Sequence, residues 1–224
     1  MKSKNKQINI LYFVVLIAGI VAVAGIGYFG YLAVTNPSRT QPIAVGEGSE
    51  NTDVALEGSD ETPVPASEVD TYTVNADAPR ILKIDSLGIS AKVRPMGVNS
   101  AGAVQAPVNI HDGGWYTGSS KPGAYGAMFI DGHASGTTRQ GLFAYLDTMQ
   151  NGNTMTIERG DGEILTYKVV HVETVSKDAV DMNKALKVYG DAKEGLNLMT
   201  CTGKWIEREK TYDNRVVVYT QRVS

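Results

Sequence analysis

From residue 80 to the C-terminus, apolar positions fall in short runs separated by turn residues. Ile81, Leu82, Ile84, Leu87 and Ile89 open this stretch. Residues 127–130 (AMFI) form a continuous apolar run, 154–157 (TMTI) alternate, and Ile164, Tyr167, Val169 and Val170 mark a third segment. LNLMT at 196–200 follows, and VVVY at 216–219 is the most β-prone stretch of the chain. Glycine and proline punctuate these runs at 97–102, 113–114, 122–123, 151–152 and 160–162. Such spacing predicts seven or eight short strands. Only 141–149 (GLFAYLDTM) and 179–189 look helical, and both are short. The pattern is that of an all-β domain with short helices, a closed barrel or a sandwich, and it contains no internal repeat.

The N-terminal third reads differently. Residues 8–34 carry no charge and are mostly apolar, and Lys2, Lys4 and Lys6 precede them. A helix of that length spans ~40 Å, more than the ~30 Å hydrocarbon core of a bilayer. Ala22-Val23-Ala24 mimics a signal-peptide cleavage site, but the apolar run continues well past it. The expectation is an uncleaved single-pass transmembrane anchor over 8–34. The basic tail 1–7 then stays in the cytoplasm and the C-terminal bulk lies on the extracellular side of the cell membrane. Residues 35–79 are rich in Pro, Gly, Ser, Thr and acidic side chains and show no apolar period. They are expected to form a flexible acidic stalk with a span of ~35–40 Å. The domain of interest then runs over 80–224.

The formal charge of −3 hides this division. Nine acidic residues and a single basic one, Arg39, fall within 36–79, whereas 80–224 holds 17 basic and 15 acidic residues. No Lys/Arg stripe exists to neutralise phosphates, which excludes a basic nucleic-acid-binding protein. The single cysteine excludes an intramolecular disulfide framework and any multi-cysteine zinc or iron–sulfur site. Acidic residues are too scattered to propose a calcium site, so no metal or cofactor is expected, and the domain is expected to be a monomer.

That cysteine, Cys201, is the residue to question. Most free cysteines are small buried core residues. Cys201, however, follows the apolar run LNLMT and precedes Thr-Gly-Lys, so it is expected at a strand end, where scaffolds present reactive side chains. A cysteine nucleophile needs a partner that stabilises its thiolate, usually histidine. His133 sits in FIDGHASG, directly after an expected core strand and among small residues that leave room for a substrate backbone. His111, in NIHDGGWY, is an accessory or surface candidate, and His171, within YKVVHVETV, reads as a structural strand residue. Acyl chemistry also needs a donor for the charge on the carbonyl oxygen, and arginine suits it. Arg215 opens RVVVYT and lies beside Cys201 if the two strands pair as a hairpin. Arg208, in the charged stretch IEREK, competes with it but reads as a solvated face.

FIDGHASG, LNLMTCTGKW and YDNRVVVYT, in that order, resemble the sortase family. GWYTGSSKPGAYGAMFIDGH also resembles that family's approach to its histidine, and the resemblance covers essentially all of 80–224. Leu198-Met199-Thr200-Cys201 supplies the expected Thr-Cys end, although Asn197 departs from the usual threonine-type start. YDNRVVVY is more similar to housekeeping-like or class F-type sortases than to the pilin-polymerising kind.

This resemblance implies a sortase β-barrel of about seven or eight strands and cysteine transpeptidase chemistry. Cys201 would attack an LPxTG-like C-terminal sorting signal of a secreted protein and form a thioacyl-enzyme. An amine, on a peptidoglycan precursor or a pilin lysine, would then take the acyl group. His133 would move the protons, Arg215 would bind substrate backbone and oxyanion, and Thr200 would position substrate or the cysteine strand. Two other readings compete. An L,D-transpeptidase-like peptidoglycan cross-linking enzyme lacks support in the residues around Cys201, where that family carries Ser-His-Gly-Cys. A non-enzymatic surface binding domain with a buried cysteine would differ in having an inert thiol.

Overall fold

The computed structural model describes residues 59–99 and 102–223. The expected cytoplasmic tail, the anchor at 8–34 and the stalk up to residue 58 lie outside these residues. Among the described residues, no helix is long and apolar enough to cross a membrane.

The opening apolar run makes two strands. β1 (Pro79–Ile84) and β2 (Ile89–Met96) pair antiparallel around a 3-10 turn at Asp85–Leu87. Gly88 ends that turn at φ 65°, in the left-handed region where a Cβ is unfavourable. β3 (Gly113–Tyr116) runs parallel to β2, and β4 (Gly126–Asp131) lies antiparallel to β3. β5 (Thr154–Arg159) and β6 (Ile164–Ser176) form a hairpin. β7 (Glu194–Ile206) runs parallel to β4 and antiparallel to β8 (Thr211–Arg222). The eight strands close in the order β1-β2-β3-β4-β7-β8-β6-β5, with β5 returning to β1. Of the closed barrel and the sandwich that the pattern left open, the structure shows the closed barrel that the resemblance implies.

Strand alternation sorts the apolar residues into two layers. Leu82, Val93, Met128, Ile157, Leu198 and Val218 belong to the main core cluster that fills the barrel. Their neighbours Phe129, Val217 and Tyr219 point the other way and pack with Ala185 in a second cluster on the outer face of β4, β7 and β8. Each such side chain removed from water contributes roughly 1.5–3 kcal/mol, so these covered residues of the outer face are stabilising structure.

Three expectations need correction. The stretch 141–149 keeps only a 3-10 turn, Leu146–Thr148. The stretch 179–189 keeps one short helix, Met182–Ala185, capped by the Asp181 side chain. Most importantly, the stalk does not extend to residue 79. Residues 59–79 lie against the barrel and include helix α1 (Ala66–Thr71), whose Val69 is buried. Glu68 pairs with Lys92, which is only 2% exposed. Tyr72 donates from its hydroxyl to Val93 O at 3.1 Å, and Arg80 donates to Asp70 O and Tyr72 O at 3.1 and 2.8 Å. Composition misses this packing because two apolar side chains, Val69 and Ala78, and a set of polar contacts fix the segment, with no periodic apolar stripe. Met182–Ala185 is called α2 below.

Candidate active site

Three strands bring the candidate residues together. On β7, Leu196 and Leu198 face the core, so Asn197, Met199 and Cys201 face outward. On β8 the outward residues are Arg215, Val217 and Tyr219 by the same alternation, and on β4 they are Phe129 and Asp131. Cys201 and Arg215 are direct cross-strand partners, a placement that sets their Cβ atoms about 4.5–5.5 Å apart. The hairpin expected from the sequence is therefore present.

β4 flanks β7 on its other side. Its parallel register matches Asp131 with Met199, and Gly132 N donates to Met199 O at 3.2 Å. His133 follows Asp131 by two residues, in the turn after β4, while Cys201 lies two residues beyond Met199 on β7. The His133 ring donates from Nε2 to Pro107 O at 2.9 Å, because a carbonyl only accepts, so this nitrogen carries a proton. The backbone of His133 is fixed by Phe143 N, which donates to its carbonyl at 2.9 Å. A Cβ on Gly141 would collide with that same carbonyl, which explains a glycine there.

Arg215 is held by its own hairpin. Nη1 donates to Tyr212 O and Asn214 O, both at 2.9 Å, and Nη2 donates to Thr211 Oγ1 at 3.0 Å. These bonds fix the guanidinium plane and leave further N–H donors of its fork for a substrate. Arg208 is 86% exposed at its side chain and pairs with the adjacent Glu209, a solvated face as the sequence suggested.

Two acidic protons sit around this guanidinium. Burial pushes the Cys201 thiol up, the Arg215 charge pulls it back, and Asp131 raises it again. Cys201 therefore rests as a thiol. Burial also pushes the Asp131 carboxyl up, to about 7, against the Gly132 N–H and Arg215, which lower it. Asp131 was overlooked in the sequence, where FIDGH was weighed for its histidine alone. The available signal was a carboxylate closing an apolar strand.

Cys201 lies inside β7 rather than at its end, since the strand continues to Ile206. Thr-Gly-Lys after it reads as a turn, but Gly203 at φ 93° sits in a register shift between Thr202 and Trp205. Thr200 is also reassigned. It is 2% exposed and donates from Oγ1 to Gly132 O at 2.7 Å. Of its two expected roles, positioning substrate is excluded by that burial, and tying the cysteine strand to the turn before His133 remains. His111 is half-buried beside Asp112, whose carboxylate bonds Arg94 at 2.9 Å. His171 stacks on Tyr189 with ring centroids 4.6 Å apart, a structural placement on β6. No group of three or more His, Cys, Asp or Glu able to hold a metal ion occurs among the described residues.

A family model for the sortase domain matches residues 82–223. The chain belongs to the sortase family. Its barrel is similar to those of solved sortases. A lid mutant of sortase A from Corynebacterium diphtheriae is 21% identical, with a TM-score of 0.50 over 66% of this chain and 70% of that one. Sortase C2 of Group B Streptococcus Pilus Island 1 is 20% identical, with a TM-score of 0.50 over 70% and 85% of the two chains. Sortase C1 of the same pilus island is 19% identical, with a TM-score of 0.50 over 68% and 67%. No curated protein matches the sequence. The sortases similar to this one include both A and C classes, so the class is open. Family membership makes the protein a cysteine transpeptidase.

Proposed function

We propose that this sortase uses Cys201, His133 and Arg215 to cut an LPxTG-like C-terminal sorting signal and pass the acyl group to an amine. The carrying observation is the direct cross-strand pairing of Cys201 with Arg215; His133 follows the neighbouring strand β4, two residues beyond its pairing with Met199. The thiol proton moves to the His133 ring as the thiolate forms beside the Arg215 charge. Sulfur attacks the scissile carbonyl, and the oxyanion is held by guanidinium N–H donors. His133 returns the proton to the departing amine, leaving a thioacyl-enzyme. The incoming amine, on a peptidoglycan precursor or a pilin lysine, then attacks, gives its proton to His133 and releases Cys201.

The outer apolar face leading to Cys201 suits the side chains of an extended peptide. Phe129 and Val217 are fully buried within it, so the half-buried Met199 is the part a peptide can touch, and α2 with Leu186 and Tyr189 forms one wall. In this reading residues 8–34 anchor the sortase in the cell membrane and the barrel works on the extracellular side.

The test is a fluorogenic LPxTG-type peptide, supplied with and without an amine. Cleavage should yield an amide with the amine present, and Cys201→Ala should abolish it. Arg215→Ala and Arg215→Lys should each lose ~10²–10³ in kcat, the usual cost of a lost oxyanion donor. Arg208→Ala should stay within about a few-fold of the parent, because it keeps that donor. A dead Arg208→Ala with an active Arg215→Ala would overturn the assignment.

A further inference from the structure

Two consecutive residues of the N-terminal segment hold both sides of His133. The backbone of Asp60 forms a parallel bridge with Asn109. Asp60 N donates to Val108 O at 2.8 Å and Ile110 N donates to Asp60 O at 2.9 Å. Asn109 Nδ2 adds a bond to the Asp60 carboxylate at 3.0 Å. The segment secured in this way begins at Pro107, whose carbonyl accepts the His133 ring proton.

Glu61 grips the other side. Its carboxylate accepts from Thr137 N, from Thr138 N at 3.1 Å and from Thr138 Oγ1 at 2.6 Å. These bonds hold the Glu61 carboxyl below the usual carboxylate range, the Thr138 hydroxyl contributing most, so it is an anion at neutral pH. Thr137 and Thr138 belong to the turn that follows His133, closed by Gly136 N donating to Arg139 O at 2.7 Å and Gly141 N to Ala134 O at 2.9 Å. A Cβ on Gly136 would fall 2.6 Å from the Glu61 carboxyl carbon, so a side chain there would push against the clamp.

We propose that Asp60 and Glu61 are positioning residues that act through His133, joining the segment that carries its hydrogen-bond acceptor to the turn that carries the ring. The catalytic geometry then depends on docking of the chain that leads out of the N-terminal apolar run. This rests on the role given to His133 above. A purely structural strap would stabilise the barrel and leave the imidazole where it is, so the ring itself is the readout.

The experiment uses the full chain in detergent micelles, labelled with 15N-histidine, with His133 assigned through its absence in His133→Gln. Glu61→Ala should move the His133 ring nitrogen signals as the Nε2 bond to Pro107 O loosens. Peptide-cleavage kcat should fall about tenfold with KM within about twofold, the pattern of a displaced catalytic group. Glu61→Gln keeps a carboxamide oxygen for the turn and should recover part of both readouts. Thr138→Val removes one bond from the opposite side and should shift the same signals, which keeps the test intact if Glu61→Ala does not fold. Asp77→Asn, which breaks the remote Asp77–Lys121 ion pair of the same segment, should leave the ring signals in place. Unmoved His133 signals in Glu61→Ala and Thr138→Val overturn the proposal. Moved signals in a protein whose parent cleaves no sorting peptide uphold the link to His133 and refute the proposed function instead.

Discussion

Asp131→Asn removes one of the two acids beside Arg215 with little change of shape. Asparagine keeps an oxygen for the Gly132 N–H and deletes the charge. The native carboxyl sits at about 7 against an ordinary 3.8, with burial as the largest cause. Between those two pH values the folded protein holds this proton and the unfolded chain has released it. The unfolded state then binds fewer protons, so the contribution of Asp131 to stability falls as pH rises from about 4 to about 7 and is level above that. At about 1.4 kcal/mol for each tenfold change in proton affinity, the ceiling is roughly 4 kcal/mol. Solvent reaches part of the side chain, so roughly 2–3 kcal/mol is the expected gain of Asp131→Asn above pH 7. Urea unfolding of the compact unit Ser49–Ser224 at a series of pH values measures it. The difference between variant and parent should be near zero at pH 4 and grow to a plateau above pH 7. A pH-independent difference, or a variant less stable than the parent at pH 8, would refute the reasoning. The same substitution relieves Cys201 of a neighbouring anion that raises its thiol, so iodoacetamide should label Cys201 faster at pH 7.

Two further perturbations test the parts that support the site. A unit starting at Thr71 loses Glu68 from the buried Lys92, leaving Asp112 at 3.7 Å as its remaining partner. It should be about 1–3 kcal/mol less stable than Ser49–Ser224, and Lys92→Met should narrow the gap in denaturant midpoints. Asn197→Ala deletes two bonds, both at 2.8 Å, from Nδ2 to Ala185 O and Lys187 O. It should cost about 1–3 kcal/mol and raise the KM for the sorting peptide, because α2 loses its tie to the barrel. An unchanged KM would mean that the α2 wall does not meet the peptide.

Much of this architecture was legible before any coordinates. Short apolar runs and alternation located most of the strands but not β3, whose Gly113-Gly114 reads as a turn, and the hairpin argument set Arg215 beside Cys201 because both lie on short runs with one intervening turn. What escaped was carried by contacts between residues distant in sequence. Asn197 looked like a departure from the family pattern, yet its amide holds the carbonyl of Ala185, at the end of α2, and that of Lys187 just after it. Residues 59–79 looked like stalk because acidic and small residues dominate them. Their partners, Lys92, Val93, Asn109 and Thr138, lie up to 77 positions away. Cys201 seemed to end its strand because Thr-Gly-Lys reads as a turn, and only the register of β8 reveals a bulge within a continuing ladder.

The resting protonation of the site follows from one guanidinium facing two desolvated acids. Arg215 lowers both Cys201 and Asp131, but burial outweighs it in each case, and ionising either acid opposes ionising the other. Thiolate is the form that oxidants attack, so a lone cysteine kept as a thiol is protected at rest. The same burial makes the nucleophile weak until something else favours the anion. Under the proposed function, a peptide carbonyl arriving on Arg215 would give the negative charge a second place to reside, and the His133 ring would give the proton one. Reactivity is thereby tied to occupancy. The lone thiol is held in its less reactive form by the same desolvation that an enclosed acyl-transfer site would require.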